Sequence, residues 1–414
     1  MTKRVVITGM GTVNPLGNSV ESFYRGLQEG KSGIGPITAF DPAEYASKIA
    51  GELKDFNATD FMEKREARKM AKFTQYAVAS TTQAMEQAGL KRGDVEPSRM
   101  SVIIGNGIGG FEFLEESYFK LFEKGPKRVP PMIIPKLISN EAPGNIAIKF
   151  GATGESYAVV TACASATDAI GNAVMSIKNG RSDVVITGGT EGCITRMGIA
   201  GFSVLQALST EYNDTPEKAS RPFDKKRDGF IMAEGAGVLI VEELEHAKKR
   251  GANIIAEVKG FGRTCDAYHL TAPDAEGRGG TEAIKLALED ASFKPEDIDY
   301  INAHGTSTPT NDPIETLAIK NAFGSHAYNL KVSSTKSMTG HCIGAAGGIE
   351  AIACILGIQN NYYPPTINLD EPDEKCDLDY VANKGVNQPM ETALSISLGF
   401  GGHNAVAIFT EYKE

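Results

Sequence analysis

The segment YAVVTACASA, residues 157–166, decides how this chain folds and where its chemistry is expected. Its first four residues predict a short buried strand, and the small residues after Cys163 predict a helix that ends near Gly180. Cys163 would then lie in the turn between strand and helix, at the helix N-terminus. Free backbone N–H groups and the helix dipole stabilise a thiolate there, so Cys163 is a candidate nucleophile. An inert core cysteine is the alternative.

Two further segments, NAHGTST at 302–308 and TGHCIGAAG at 339–347, each place one histidine among small residues. His304 follows a predicted strand and precedes a run of hydroxyls, whereas His341 stands at the head of a predicted helix from Cys342 to Ile358. A helix N-terminus favours a neutral imidazole, which can donate a hydrogen bond to an enolate oxygen. A structural histidine is the alternative at each position. If the segments converge, they form one site with a thiolate and two imidazoles.

The second half of the chain repeats the pattern of the first, and such repeats indicate duplicated architecture. The order strand, helix, strand, helix, strand predicts an α/β protein with largely parallel central sheets. We place the boundary near residue 250, which gives halves of 1–250 and 251–414. The matching segments are 4–11 with 254–262, 101–104 with 299–302, the Cys163 helix with the His341 helix, and 234–242 with 402–410.

Composition excludes several classes of protein. A net charge of -10 over 414 residues argues against general binding of nucleic acid. The six cysteines show no CxxC pair, which fits a reduced cytoplasmic protein, and no His/Cys spacing matches a metal site. The apolar run after the N-terminus is too short for a signal peptide, and the run from Ala351 to Ile358 is too short for a membrane span.

Two glycine-rich segments, 9–14 and 105–110, suggest an alternative function. The second, GNGIGG, fits the dinucleotide fingerprint G-x-G-x-x-G. A nucleotide site also needs a strand ending in an acidic residue about 20 positions later, and neither segment has one. Tight turns over a pocket are therefore favoured over a dehydrogenase.

A basic cluster stands out on this acidic chain. Its residues have helical spacing, and all but the first share one face of the predicted helix. The cluster is either a solvated face or a docking site for an acidic partner. It consists of Lys64, Arg65, Arg68, Lys69 and Lys72.

Taken together, the motifs resemble those of β-ketoacyl-acyl-carrier-protein synthases of the Cys-His-His type, most of all class II. The resemblance covers essentially the whole chain and rests on residues 7–11, 161–165, 302–308, 336–341 and 399–402. It implies a thiolase-like fold, in which two similar halves form a five-layer αβαβα sandwich, and a homodimer. It implies no added cofactor, because acyl carrier protein delivers both substrates on phosphopantetheine.

The resemblance also implies roles for individual residues. Cys163 would accept the acyl group from the carrier protein, with the N–H groups of Cys163 and Phe400 as the oxyanion hole. His304 and His341 would bind the malonyl thioester oxygen and assist loss of carbon dioxide. The resulting carbanion would attack the acyl-cysteine and extend the chain by two carbons.

Further residues would support this chemistry. The implied supporting ion pair is Lys336 with Glu350, and the implied hydroxyls for the phosphopantetheine arm are Thr306 and Thr308. The acyl tunnel would use Ile108, Phe202 and Phe400, with Ile133 reaching it across a dimer interface and Gly401 giving the Phe400 loop its flexibility. The acidic carrier protein would dock on Lys64, Arg65, Arg68 and Lys69.

Related activities remain as alternatives. A class I synthase or a polyketide-type ketosynthase would carry the same three residues. A thiolase would need a second cysteine in the glycine-rich loop at 399–404, which has none, and an initiating synthase would have asparagine in place of His341. A non-catalytic chain-length partner would lack the cysteine.

Overall fold

The computed structural model describes residues 3–414. The first part of the chain, up to Lys249, alternates strands and helices. In chain order these are β1 (Val5–Val13), α1 (Val20–Glu29), β2 (Gly35–Pro36), β3 (Ile49–Ala50), α2 (Lys64–Ala67), α3 (Lys72–Gln87), β4 (Met100–Gly105), α4 (Phe111–Lys124), α5 (Ile133–Leu137), α6 (Glu141–Phe150), β5 (Ser156–Val159), α7 (Ser165–Lys178), β6 (Val184–Glu191), α8 (Arg196–Val204), β7 (Gly235–Glu243) and α9 (Leu244–Lys249).

The second part of the chain repeats this alternation with fewer helices. Its elements are β8 (Ala256–Cys265), α10 (Arg278–Ala291), β9 (Tyr300–Asn302), α11 (Asn311–Phe323), β10 (Lys331–Ser333), α12 (Lys336–Thr339), α13 (Ala346–Asn360), β11 (Tyr362–Tyr363), β12 (Val386–Asn387), β13 (Thr392–Gly399) and β14 (His403–Thr410).

A ten-stranded sheet runs through the molecule in the order β10-β9-β13-β14-β8-β1-β7-β6-β4-β5. Its two halves meet at a short antiparallel junction, where Val6 of β1 faces Glu257 and Ile7 faces Ala256 of β8. Outward from this junction each half has the same arrangement: β7, β6, β4 and β5 on one side correspond to β14, β13, β9 and β10 on the other. The repeated sequence segments therefore occupy equivalent places in the sheet.

The sheet is mixed, so the prediction of largely parallel sheets is wrong. Parallel pairing is confined to the outer strands, around β4 and β9, whereas β1, β7, β8 and β14 pair antiparallel with their neighbours. The physical reason is clear for β13 and β14, which are joined by only Phe400, Gly401 and Gly402. So short a connection can only reverse the chain, which makes the two strands antiparallel.

Helices complete a five-layer αβαβα arrangement, which confirms the predicted α/β fold class. α3 covers the outer face of β1 and β7, and α10 covers that of β8 and β14, while α7 and α13 pack together between the two sheet halves. Apart from Glu350, α13 is apolar on all sides, and it is buried from Ala346 to Ile358, as expected for a helix enclosed by protein. Gly237 of β7 lets it approach closely, because a Cβ there would overlap the backbone of Gly348.

The central helix accounts for the most apolar part of the sequence. The helical stretch Ile343–Asn360 has the length and composition of a membrane span, so the apolar segment is longer than the predicted run from Ala351 to Ile358. In the fold, 89% of this stretch is buried inside the molecule. Its apolarity therefore serves the core between the sheet halves.

Candidate active site

Cys163 lies in a strained turn between β5 and α7. The turn is the 3-10 segment Ala162–Ala164, and Ala162 enters it at a φ of 50°, a conformation that costs energy for any residue with a Cβ. The Ser165 side chain stabilises the turn by accepting from the Thr161 N–H at 2.9 Å and donating to the Ala162 carbonyl at 2.6 Å. Cys163 thus lies in the turn between strand and helix, as predicted, and α7 begins two residues later at Ser165.

His341 lies just before the equivalent turn in the second part of the chain. Its N–H donates to the Ile231 carbonyl at 2.7 Å, and its carbonyl accepts from the Ala233 N–H at 2.9 Å. The 3-10 turn Ile343–Ala345 follows before α13 begins at Ala346, so the predicted start at Cys342 is too early. The Ala162–Ala164 and Ile343–Ala345 turns contact each other across the two halves.

The structure brings Cys163, His304 and His341 together. The candidate ligand and nucleophile atoms of the three side chains all lie within 4.8 Å of one another. His341 Nε2 is 3.1 Å from Cys163 Sγ, and the two imidazole rings meet edge to face with centroids 5.2 Å apart. A single thioester carbonyl placed between them can contact all three.

A buried ammonium group lies beside the histidines. Lys336 Nζ forms an ion pair with the Glu350 carboxylate and lies 3.4 Å from His304 Nδ1. Because an ammonium group only donates, His304 Nδ1 accepts and the ring proton resides on Nε2, which is free for a substrate. The same positive charge disfavours a metal cation in this cluster, although a thiol and two imidazoles are potential metal ligands.

Burial keeps both imidazoles neutral. It lowers the pKa of His304 and of His341 well below 6.5, and the charge of Lys336 lowers both further. The helix dipole invoked from the sequence is not the cause, because His341 precedes the 3-10 turn and does not stand at the N-terminus of α13. Desolvation and a like charge produce the neutral donors instead.

Burial also raises the pKa of the Cys163 thiol to about 12, although Lys336 and the Phe400 N–H act in the opposite direction. The thiol of the free chain is therefore neutral, contrary to the thiolate expected at a helix N-terminus. His341 Nε2 is close enough to take its proton as the sulfur attacks. Among residues 3–414, His341 Nδ1 has no hydrogen-bonding partner, so the protein does not fix the tautomer of this ring.

The three reactive groups open onto a cavity of about 350 Å³. Its apolar wall includes Phe202 and Phe400, whose ring centroids are 6.3 Å apart. Thr306 and Thr308 also line it, with their hydroxyl oxygens 3.0 Å apart. The cavity therefore combines an apolar side, a hydroxyl-bearing side and the Cys-His-His cluster.

The remaining predicted pocket residues lie at different depths. Gly401, with a φ of 88°, forms part of the tight turn between β13 and β14, and its N–H donates to the Leu270 carbonyl at 2.8 Å. Ile108 is partly buried and packs in the same cluster as Cys163 and Phe202. Ile133 does not line this cavity; it begins α5, on a segment with exposed apolar side chains.

The predicted basic helix is interrupted. α2 ends after Ala67, where the Gln75 side chain donates to the carbonyls of Ala67 and Met70, and Lys72 begins a new helix. The prediction of one continuous basic face is therefore wrong. Four members of the cluster are exposed, and within residues 3–414 they form no ion pair; these are Lys64, Arg65, Arg68 and Lys69.

Sequence reasoning missed Glu315, which holds the His304 loop. The carboxylate of Glu315 is buried and accepts from the backbone N–H groups of His304 at 2.6 Å and Gly305 at 2.7 Å. Burial raises the pKa of Glu315 to about 7, against the effect of these two amides. The only local signal was a glutamate shortly after a hydroxyl-rich loop, and it did not reveal the contact.

A further group of oxygens near the site has no hydrogen-bonding partner among residues 3–414. These are Asn302 Oδ1, Glu350 Oε2 and Ser395 Oγ, all buried. Asn302 and Ser395 face each other in the register of β9 and β13. Unpartnered buried oxygens suit a cation or ordered water.

Comparisons with known families agree with this geometry. Residues 2–247 match the family model "Beta-ketoacyl synthase, N-terminal domain", and residues 255–370 match "Beta-ketoacyl synthase, C-terminal domain". The chain is 51% identical over 411 residues to "3-oxoacyl-[acyl-carrier-protein] synthase 2" of Synechocystis sp., with 99% of each chain covered. The protein of the same name from Staphylococcus aureus (strain N315) gives the same identity and coverage.

Solved structures show the same architecture. "The ishigamide ketosynthase/chain length factor" superposes with a TM-score of 0.94 at 35% identity and covers 100% of both chains. A "Beta-ketoacyl synthase from Burkholderia phymatum STM815" superposes with a TM-score of 0.92 at 35% identity, covering 99% of this chain and 100% of that one. From its motifs, its fold and these matches, the chain belongs to the β-ketoacyl synthase family.

Proposed function

We propose that this chain condenses an acyl group with a malonyl group, both carried on acyl carrier protein, to give 3-oxoacyl-acyl carrier protein and carbon dioxide. This is the reaction of a class II synthase in fatty-acid elongation. The observation that carries the proposal is the convergence of Cys163, His304 and His341 within 4.8 Å at one cavity. The printed names of the relatives at 51% identity support it.

The first half-reaction loads the acyl group. The sulfur of Cys163 attacks the thioester carbon while His341 Nε2, 3.1 Å away, accepts the thiol proton. The N–H groups of Cys163 and Phe400 stabilise the negative oxygen, and the Phe400 N–H already points to the sulfur. The bond to the phosphopantetheine sulfur breaks, and that sulfur leaves as a thiol with the transferred proton.

The second half-reaction forms the new carbon–carbon bond. In this step His341 carries its ring proton on Nε2, the opposite tautomer to the one that accepts the thiol proton, and its unpartnered Nδ1 allows that change. The malonyl thioester oxygen accepts hydrogen bonds from the Nε2–H groups of His304 and His341 as carbon dioxide leaves. Neutral imidazoles suit this step because each can donate a hydrogen bond to the enolate oxygen and still keep its proton. The enolate carbon attacks the acyl-cysteine, and the Cys163 sulfur departs as a thiolate that takes up one proton from solvent, since the original thiol proton left with phosphopantetheine. Lys336 and Glu350 support the histidines through the ammonium next to His304.

The cavity wall supports the proposed substrate contacts. Thr306 and Thr308 offer two adjacent hydroxyls for the polar phosphopantetheine arm. Phe202, Phe400 and Ile108 form or adjoin the apolar side, where an acyl chain would lie. We assign Gly401 the role of a hinge that gives flexibility to the turn carrying Phe400.

The proposed partner is an acidic acyl carrier protein that docks on Lys64, Arg65, Arg68 and Lys69. These four side chains are exposed and carry positive charge on an otherwise acidic chain, which suits attraction of an acidic surface. A solved relative at 34% identity is described as a type II polyketide "acyl-carrier protein in complex with its ketosynthase".

We also propose a homodimer in the cytoplasm. Large apolar side chains are exposed on α4, α5 and the edge strand β5, including Tyr118, Phe122, Ile134 and Tyr157. Exposed apolar surface of this extent is typical of an interface. Ile133 lies in this region, so it would reach the acyl tunnel of a second copy. All six cysteines are free thiols, which suits a reducing compartment.

We further propose two structural halves, residues 1–250 and 251–414. Family models that match 2–247 and 255–370 support a boundary between them. Cys163 lies in the first half and both histidines in the second, so the active site would form between them.

A product-length assay tests the proposed function. The purified chain, carrier protein and a series of acyl primers should yield 3-oxoacyl products with release of carbon dioxide. Cys163→Ala should abolish condensation, because no acyl-enzyme can form, while decarboxylation of malonyl carrier protein continues. Elongation by the Cys163→Ala chain would contradict the assignment.

A polyketide-type ketosynthase is the second candidate, favoured by the solved structures at 34–35% identity. Such an enzyme would extend a chain repeatedly without reduction of the 3-oxo group. The same assay separates the candidates, since a fatty-acid enzyme should prefer fully reduced primers and stop after one condensation. A class I synthase would differ only in its preference for primer length.

A further inference from the structure

Glu191 is a buried carboxylate that joins the two halves of the molecule next to the cavity. It is the last residue of β6, is fully buried, and forms no ion pair within residues 3–414. Its Oε2 accepts from the Gly107 N–H at 2.9 Å and from the Gly344 N–H at 3.1 Å. Its Oε1 accepts from Asn106 Nδ2 at 3.2 Å. One side chain thus connects the loop after β4 with the 3-10 turn after His341.

The two backbone segments that Glu191 connects carry apolar residues of the pocket. Gly107 precedes Ile108, which packs with Cys163 and Phe202, and Gly344 follows Ile343, which lines the cavity. The segments are in contact, since a Cβ on Gly107 would lie 3.1 Å from Ile343 Cγ2. In the glycine-rich segment 105–110, the Gly107 N–H therefore donates to the Glu191 carboxylate and not to the phosphate of a dinucleotide.

Ile343 needs such an anchor because its backbone is strained. Its φ is 46°, a conformation that is rare for a residue branched at Cβ. Strain of this kind persists only where surrounding contacts enforce it, and it is typical of functional sites. The hydrogen bond from the adjacent Gly344 N–H to Glu191 is one of those contacts.

We propose that Glu191 is a positioning residue for the acyl pocket: it fixes Ile108 of one half against Ile343 of the other and so determines how well long acyl chains fit. The inference rests on the proposed condensing function, because the acyl chain is its readout. Burial raises the pKa of Glu191 to about 7, while the amides of Gly107 and Gly344 act to lower it. An apolar residue here would avoid the cost of burying a carboxylate but could not accept these hydrogen bonds.

The test compares kcat/KM for hexanoyl-carrier and tetradecanoyl-carrier protein in Glu191→Ala and wild type. A short primer lies close to Cys163, whereas a long one must pass between the two walls that Glu191 holds. The ratio of long-chain to short-chain kcat/KM should fall about tenfold, since all three hydrogen bonds to the Glu191 carboxyl group are lost, two of them from the Gly107 and Gly344 amides. Glu191→Gln keeps a carbonyl oxygen for Gly107 and Gly344 and should stay within about twofold of the wild-type ratio.

Glu191→Asp provides a second variant should the alanine variant not fold. It keeps the charge, but its shorter side chain cannot reach both amides, so the ratio should fall by at least about threefold. Glu242→Gln is the matched control, because Glu242 is also fully buried but bonds to Thr8, His246 and Arg250 instead of to the pocket. It should lower the thermal unfolding temperature and leave the ratio unchanged.

Two failures are distinguishable. If wild type condenses both primers but Glu191→Ala or Glu191→Asp keeps its ratio, the positioning role is wrong and the function stands. If wild type condenses neither primer with malonyl carrier protein, the proposed function itself fails.

Discussion

One ammonium group influences every reactive residue of the site. Lys336 lowers the pKa of His304 and of His341, and it also opposes the effect of burial on Cys163. Its ion pair with Glu350 holds it in place inside the protein. Because removing one partner of a buried ion pair leaves the other charge uncompensated, substitutions at this position act on charge as well as on packing.

Lys336→Ala should therefore move the pH dependence of decarboxylation. Without the ammonium, the pKa of each histidine rises towards 6.5, so both rings become protonated at a higher pH than in wild type. The acid limb of the rate of carbon dioxide release should shift to higher pH. Lys336→Arg retains the positive charge and should shift it less. An acid limb that stays in place in the alanine variant would contradict this role.

His304→Ala should affect decarboxylation more than acylation. It removes the Nε2–H donor to the enolate oxygen, and the rate of carbon dioxide release should fall by about 100-fold or more. Acyl transfer to Cys163, followed by mass spectrometry of the intact protein, should change far less, because His341 is the residue within 3.1 Å of the sulfur. Undiminished carbon dioxide release would exclude His304 from the reaction.

Different elements carry the charged surface and the tightest packing of this molecule. α2 has only four residues, yet it and the adjoining turn present four exposed positive charges. Deep in the fold, β7 and α13 meet where Gly237 faces the backbone of Gly348. The first feature concerns partner recognition, and the second concerns stability.

Reversing charge at Arg65 and Arg68 together should weaken docking of the carrier protein. KM for carrier-protein substrates should rise about tenfold or more, with a reduced dependence on salt, because attraction to an acidic surface is lost. KM for pantetheine substrates should stay the same. Lys384→Glu, at an exposed position in the second part of the chain, is the control. Equal increases in KM for both types of substrate would show that the basic cluster is only a solvated face.

Gly237→Ala should destabilise the fold. Its methyl group would overlap the backbone of α13 at Gly348, and overpacking of this kind costs about 1–3 kcal/mol or more. Gly144→Ala is the matched control, since Gly144 lies within α6 and a Cβ there meets nothing within 4 Å. Thermal unfolding should show a lower midpoint for the first variant alone. A midpoint equal to that of wild type would show that β7 and α13 can separate at low cost.

Local sequence predicted these elements only where the signal itself was local. The apolar run before Cys163 gave a strand at the right place, and Gly180 gave the end of α7 correctly. The prediction that this strand is buried was wrong, because β5 lies at the edge of the sheet and exposes Tyr157. Strand direction was predicted wrongly, because pairing depends on partners distant in sequence. The basic helix was also predicted wrongly, since the break depends on Gln75 reaching back to Ala67. Glu191 and Glu315 were missed for the same reason: their partners come from other elements.

At the scale of the whole molecule, the repeat predicted two equivalent halves, and the family resemblance supplied the five layers. Neither could indicate how the two halves of the sheet join, which is through only two residue pairs between β1 and β8. Nor could they give the protonation of Cys163, because burial of the thiol results from the complete packing around it. The motifs nevertheless identified all three residues that converge.

The proposed dimer involves the whole molecule. Phe122→Asp with Tyr157→Asp should convert a dimer into monomers in sedimentation velocity, because both side chains are exposed apolar groups in the proposed interface. Leu317→Asp, at an exposed position on α11 in the second half, should leave the dimer intact. A wild-type chain that sediments as a monomer at micromolar concentration would contradict the proposal.

The two turns beside the central helices match residue for residue. Ala162 and Ile343 open them with positive φ, and α7 and α13 begin three residues later, at Ser165 and Ala346. In this alignment Cys163 corresponds to Gly344, whereas His341 lies two residues before its turn. The sulfur and the imidazole that exchange a proton therefore come from non-corresponding positions of the repeat, and their encounter depends on an offset between the halves.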